Sequence, residues 1–213
     1  MPRPAAVRTI CTVVMLLSFT GYVAASEADA TDFCAKIKHS FKQIYFSHTH
    51  PDDVTYLKKM NFPPWSGVAM FGSREQVLGT VRSSTDARVA DEMLNSAAYV
   101  GNLENVKLLI EEGVDPDGKA ADSGPPVAVA ASCGHANVVA YLIDHGANMH
   151  LKRVNTSDAM RAAMVERSGA TIEVLLQKGF DACRGYPGKP KDVLIAAARR
   201  TGNEVFIPRL TCK

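Results

Sequence analysis

Gly113, Gly146 and Gly179 stand 33 residues apart. The same offset joins Ala97, Ala130, Ala163 and Ala196, and it joins Val106, Val139, Ile172 and Val205. Leu109, Leu142 and Leu175 follow it, as do Ile110, Ile143 and Leu176. Chance aligns one pair of glycines; it does not align five columns of matching size and polarity. A period of this length means units that stack on one another, not one closed core.

Each unit reads as two short helices. In the second unit Val127 to Cys133 is small and apolar, Gly134-His135 is a turn, and Asn137 to Asp144 is amphipathic. Val139, Leu142 and Ile143 fall at i, i+3 and i+4, so they form one stripe on that helix. Gly146 ends it, as glycine does where the chain must take a positive φ. The Ala97-Ala98 and Ala130-Ala131 pairs let neighbouring helices approach closely. A single unit cannot cover its own stripe, so its neighbours must.

These residues resemble the ankyrin repeat. Gly124-Pro-Pro-Val-Ala-Val-Ala-Ala-Ser-Cys-Gly-His135, followed by Val138-Val139-Ala-Tyr-Leu142-Ile143-Asp-His-Gly146-Ala147-Asn148, is similar to that family's two-helix signature. Unit 1 matches from Asn95 to Asp115 and unit 3 from Ala162 to Asp181. Unit 4 starts at Val193 and reads as cut short, because Pro208 falls where Leu175 stands in unit 3. The inter-helix Gly101 and Gly134 become Arg167 and Arg200, which predicts a turn displaced by two residues in both later units. The resemblance implies an all-α solenoid with a helical N-terminal capping segment. Residues 1–25 are then a signal peptide, 26–90 the cap or extension, and 91–213 three full units plus a truncated capping unit.

Arg3 and Arg8 precede an apolar run from Ile10 to Phe19, and small residues lead to Ser26. That is the pattern of a cleavable export signal, and the run is too short to cross a bilayer comfortably. Cleavage after Ala25 leaves 22 bases and 22 acids, because the signal takes two of the 24 bases and none of the 22 acids. Neutrality argues against general binding to nucleic acid or anionic membranes. The charge is nonetheless split: Asp91–Gly146 carries nine acids and two bases, and Ala147–Lys213 twelve bases and six acids.

Residues 26–90 show no 33-residue register. Thr31 could cap a helix with Phe33, Ile37, Phe41 and Ile44 on one face, and Pro51-Asp52-Asp53 a second with Val54, Leu57 and Met60. Asn61 to Gly67 reads as a loop. Ser73 with Gln76 is a capping-box start for another helix. The segment is rich in aromatic residues, including Phe46, Tyr56, Phe62 and Trp65.

Four cysteines outlast the signal, Cys34, Cys133, Cys183 and Cys212, and in an exported chain they allow three full pairings. One period before Cys212 is position 179, near Cys183, so a Cys183–Cys212 bond across the last stacking interface is the expectation. Cys34 would be left over, and Cys133 reads as a buried free thiol. Chemistry is sparse. His48 and His50 with Asp52 and Asp53 could ligate a divalent ion, yet a polar loop entering a helix explains them as well. There is no nucleophile elbow and no phosphate-binding glycine loop. No cofactor and no metal are expected.

The resemblance instead implies a protein-binding module that works through its concave side. On this register that side offers Tyr99, Val100, Arg153, Asn155, Glu166, Tyr186 and Arg199, a mix of aromatic residues and arginine favoured at binding hot spots. The expected partner is another protein. Exported ankyrin-like chains are typical of Gram-negative bacteria, so the expectation is a monomeric periplasmic adaptor or immunity protein. The alternative is a metal-binding or enzymatic role in the N-terminal segment.

Overall fold

The computed structural model describes residues 63–119, 121, 124–153, 157–184 and 190–212. The Thr31 and Pro51 helices, and the His48, His50, Asp52, Asp53, Asn155 and Tyr186 candidates, lie outside them. No strand occurs among the described residues. Helices come in pairs: α1 (Pro64–Phe71) with α2 (Arg74–Ser83), α3 (Ala87–Val100) with α4 (Leu103–Glu111), and α5 (Pro126–Ala131) with α6 (Ala136–Asp144). Next come α7 (Ala159–Val165) with α8 (Gly169–Gln177), and α9 (Pro190–Thr201) with a 3-10 helix, Glu204–Arg209.

The pairs stack into two rows. First helices pack in the order α1, α3, α5, α7, α9, and second helices in the order α2, α4, α6, α8. Between them runs one apolar seam. Leu109, Leu142 and Leu175 are fully buried, as are Val106, Val139 and Ile172, and so are Ala97, Ala130 and Ala163. Small alanines let the first helices close on each other, while the branched residues of the second helices fill the space behind.

Two glycine devices repeat. After each second helix Gly113, Gly146 and Gly179 take φ of 87°, 95° and 85°. The amide that follows each one, from Val114, Ala147 and Phe180, returns to the carbonyl of Leu109, Leu142 and Leu175 at 2.9–3.0 Å. This six-residue closure satisfies carbonyls that the helix end leaves open. Between the helices of a pair, Gly101, Gly134, Arg167 and Gly202 take φ of 71°, 72°, 53° and 75°. Arg167 therefore adopts the left-handed turn itself, and the turn of unit 3 is not displaced as its sequence suggested. Ser168 starts α8 directly.

Unit 4 does shift, by two residues and along its whole length. The closure from Ser168 to Ala163 is repeated from Asn203 to Ala198, an offset of 35. Ala196 is exposed, whereas Ala198 is fully buried. Val205 is 76% exposed and Leu210 is 1% exposed. The fourth leucine of the column is thus Leu210, and the 33-residue assignments of Ala196 and Val205 are corrected. Pro208 does not replace a core leucine; it lies inside the 3-10 helix two positions before Leu210, where a missing amide is tolerated better than in an α-helix.

At the other end, Asn61–Gly67 is not wholly loop. Pro64 opens α1 at a position that suits proline, and Ala69 and Met70 are buried, the helix lying against α3. The Ser73 capping box is present: Ser73 N donates to Gln76 Oε1 at 2.8 Å, and Gln76 N donates back to Ser73 Oγ at 3.4 Å. Gly72-Ser73 stands 29 residues before Gly101-Asn102. That shorter spacing explains why no 33-residue register reaches this pair.

Candidate protein-binding face

Buried amides and turn residues fix how each unit sits on the last. Asn102 Nδ2 donates to the Met70 carbonyl at 3.0 Å, and His135 Nε2 lies 3.0 Å from the Tyr99 carbonyl oxygen. Asn105 Nδ2 reaches Ala69 O at 2.9 Å, and Asn203 Nδ2 reaches Met164 O at 3.0 Å. Each satisfies a carbonyl at the C-terminal end of the preceding first helix, where intrahelical partners run out. His135 is therefore a structural residue.

The loops between units repeat as well. Asp115, Asn148 and Asp181, 33 residues apart, each accept the amide two residues on at 2.9–3.0 Å. Asn148 N also donates to Asp117 Oδ1 of the preceding loop at 2.7 Å, and Asp181 N to His150 Nε2 at 3.4 Å. The His150 ring lies 4.4 Å from that of Phe180, and burial holds its pKa below the usual histidine value.

Ion pairs bind the back of the second-helix row. Arg82 meets Glu112 at 2.7 Å, Lys178 meets Asp144, and Arg209 meets Glu173. Their hydrogen bonds hold the Glu112 and Glu173 carboxyls below the ordinary glutamate range. The acidic and basic halves of the sequence thus touch at Asp144–Lys178, and part of the charge split is spent inside the stack.

The sequence-derived face then divides. Tyr99 is half-buried at the end of α3, Arg199 is exposed on α9, and Glu166 is half-buried at the end of α7. Burial pushes the Glu166 carboxyl up to about 7. Val100, by contrast, is 1% exposed, so its side chain belongs to the interior and offers nothing to a partner. Arg153 is also corrected. It is half-buried, and its guanidinium donates to the carbonyls of Ala121 at 2.6 Å, Asp117 at 2.8 Å and Gly118. Arginine presents several donors in one plane, which suits a loop whose carbonyls converge. Arg153 fixes the preceding loop.

Ser132 and Cys133 were missed as surface positions, although both follow the offset of Tyr99 and Val100. Both are half-buried. Cys133 is disulfide-bonded, which overturns its reading as a buried free thiol. Cys183 and Cys212 form a second bond, with Cα atoms 5.0 Å apart. Ala182 N donates to Thr211 O at 2.9 Å beside it. Asp181 lies close to the same two sulfurs, but sulfurs joined to each other do not offer thiolates to a metal. No helix among the described residues is long and apolar enough to cross a membrane.

Comparison with known proteins agrees with this geometry. Residues 94–185 match the model of ankyrin repeats in three copies. An L-asparaginase from Dirofilaria immitis is 33% identical over 88 residues, which are 41% of this chain and 15% of that protein. The chain thus spans far less than two thirds of that relative. Ankyrin repeats as a family are protein-binding modules. The matched residues, the paired helices and the repeated turns identify residues 94–185 as ankyrin repeats.

Proposed function

We propose that this is an exported, periplasmic ankyrin module that binds one protein partner and neutralises or supports an enzyme there. The observation that carries the reading is covalent: Cys183–Cys212 is a disulfide and Cys133 is disulfide-bonded too. Such bonds persist in oxidising compartments and are rare where thiols are kept reduced. The basic start and short apolar run before Ser26 give the same address. The half-buried Tyr99 and the exposed Arg199 supply an aromatic anchor and a cationic one.

The test is fractionation followed by capture. The full chain, produced with its own N-terminus, is recovered from periplasmic extract without reductant. The expected result is a chain starting at Ser26 that holds one protein in stoichiometric amount. Association should slow with salt, because surface charges act over about 10 Å at 0.1 M and about 3 Å at 1 M, and Arg199→Glu should lower the on-rate. A cytosolic chain that retains residues 1–25 would overturn the address. A chain with no stoichiometric partner would overturn the role.

The second reading places metal binding or catalysis at His48, His50, Asp52 and Asp53. It predicts about one bound divalent ion per chain, lost in His48→Ala/His50→Ala, on the ligand preferences of such ions. Asparaginase-like hydrolysis is not what we propose, since the shared stretch is 15% of that relative.

A further inference from the structure

Cys133 carries the inference. The chain has five cysteines: Cys11, Cys34, Cys133, Cys183 and Cys212. Cys183 and Cys212 are bonded to each other, and Cys133 is bonded to another cysteine. Within one chain that partner is Cys11 or Cys34. Cys11 lies inside the apolar run read as an export signal, and this step rests on the export reading above. Once the signal is gone, Cys34 remains.

We propose that Cys133 is bonded to Cys34, which ties the N-terminal segment covalently to the second repeat. The 29 residues from Cys34 to Pro63 span up to roughly 95 Å when extended, so length does not prevent the connection. Cys133 is half-buried in the turn that follows α5 and stands outside the apolar seam. Forming the bond joins the two sulfurs and removes one hydrogen from each. A disulfide oxidant of the exporting compartment takes them by thiol–disulfide exchange and leaves as a dithiol.

The experiment uses the full chain, exported with its own N-terminus and alkylated at harvest. It is digested without reductant and mapped by mass spectrometry. The expected result is one linked peptide pair holding Cys34 and Cys133 and another holding Cys183 and Cys212. Alkylated Cys133, a link to Cys11, or a link between two copies of the chain would each overturn the assignment. The mature N-terminus is read in the same spectra, so retention of residues 1–25 sinks the export reading separately from the link.

Discussion

The His135 ring packs directly over Gly101. Its Nε2 lies 3.0 Å from the Tyr99 carbonyl oxygen, and a Cβ added at Gly101 would sit 2.5 Å from His135 Nδ1. Gly101 also holds φ at 71°, which L side chains rarely adopt. Gly101→Ala therefore meets two penalties, backbone strain and a clash with the next unit. It should cost about 2–4 kcal/mol. His135→Ala should cost about 1–2 kcal/mol, for one lost hydrogen bond and a carbonyl left without it. Because the clash needs the ring, the double variant should cost less than the sum of the singles by at least about 0.5 kcal/mol. Strict additivity in urea unfolding would show that the ring does not crowd Gly101.

The 35-residue spacing into the last unit gives a second test. Leu142→Ala and Leu210→Ala both empty a buried leucine site and should cost about 2–5 kcal/mol, the end unit at the lower part of that range. Val205→Ala, at an exposed site, should change stability by under about 0.5 kcal/mol. A large loss at Val205 with none at Leu210 would restore the 33-residue register.

The stack was legible in the sequence wherever the period was constant. Leu109, Leu142 and Leu175, and the glycines that follow them, repeat in identity and in spacing, so packing and turn geometry both follow from one column. Legibility failed where the spacing changed. A 29-residue step hid α1 and α2 from a search at 33, although Gly72-Ser73 and Gly101-Asn102 share a chemistry. A 35-residue step moved the last core alanine and leucine onto Ala198 and Leu210. Arg167 misled differently: glycine is the usual residue at positive φ, yet an arginine holds φ of 53° there. The face was harder still. Arg153 looks like a solvated anchor in sequence, since carbonyls that converge from a neighbouring loop leave no trace in the residue pattern.

Arg153 supplies a third prediction. Its guanidinium gathers three carbonyls of the preceding loop, so Arg153→Ala should cost about 1.5–3 kcal/mol, the range for hydrogen bonds from a charged donor. Arg153→Lys should recover only part of this, because an ammonium lacks the planar fork. Hydrogen exchange should quicken at the Gly118 and Ala121 amides. Unchanged exchange in Arg153→Ala would make the residue a surface anchor after all.

The Cys183–Cys212 bond links positions 29 apart in sequence. A loop of that length restrains the unfolded chain by about 3–4 kcal/mol. The Cys183→Ser/Cys212→Ser variant should therefore lose about that much in oxidising buffer. Its remaining transition should match that of the native chain only when that chain too has this bond reduced. Equal stability of native and variant proteins without reductant would mean the bond contributes nothing.

Glu166 sets a pH dependence of unusual sign for a glutamate. Burial raises its carboxyl from 4.5 to about 7 in the folded chain. Between those values the folded state holds a proton that the unfolded state has released, so stability falls as pH rises through the window and levels off above it. The full shift is an upper limit for a half-buried group, and we expect a loss of about 1–3 kcal/mol between pH 5 and pH 8. Burial of His150 acts the other way, since its lowered pKa costs stability as pH falls below the ordinary histidine value. A comparison with Glu166→Gln isolates the glutamate, because both proteins keep His150. At pH 5 the two should be nearly equal, as a neutral carboxyl and an amide meet the same surroundings at similar cost. At pH 8 the glutamine variant should be the more stable by about 1–3 kcal/mol, because it carries no charge to bury. Denaturant midpoints at the two pH values measure this. A variant no more stable than the native chain at pH 8 would mean that Glu166 ionises in water, and that the first-helix face beside it is open.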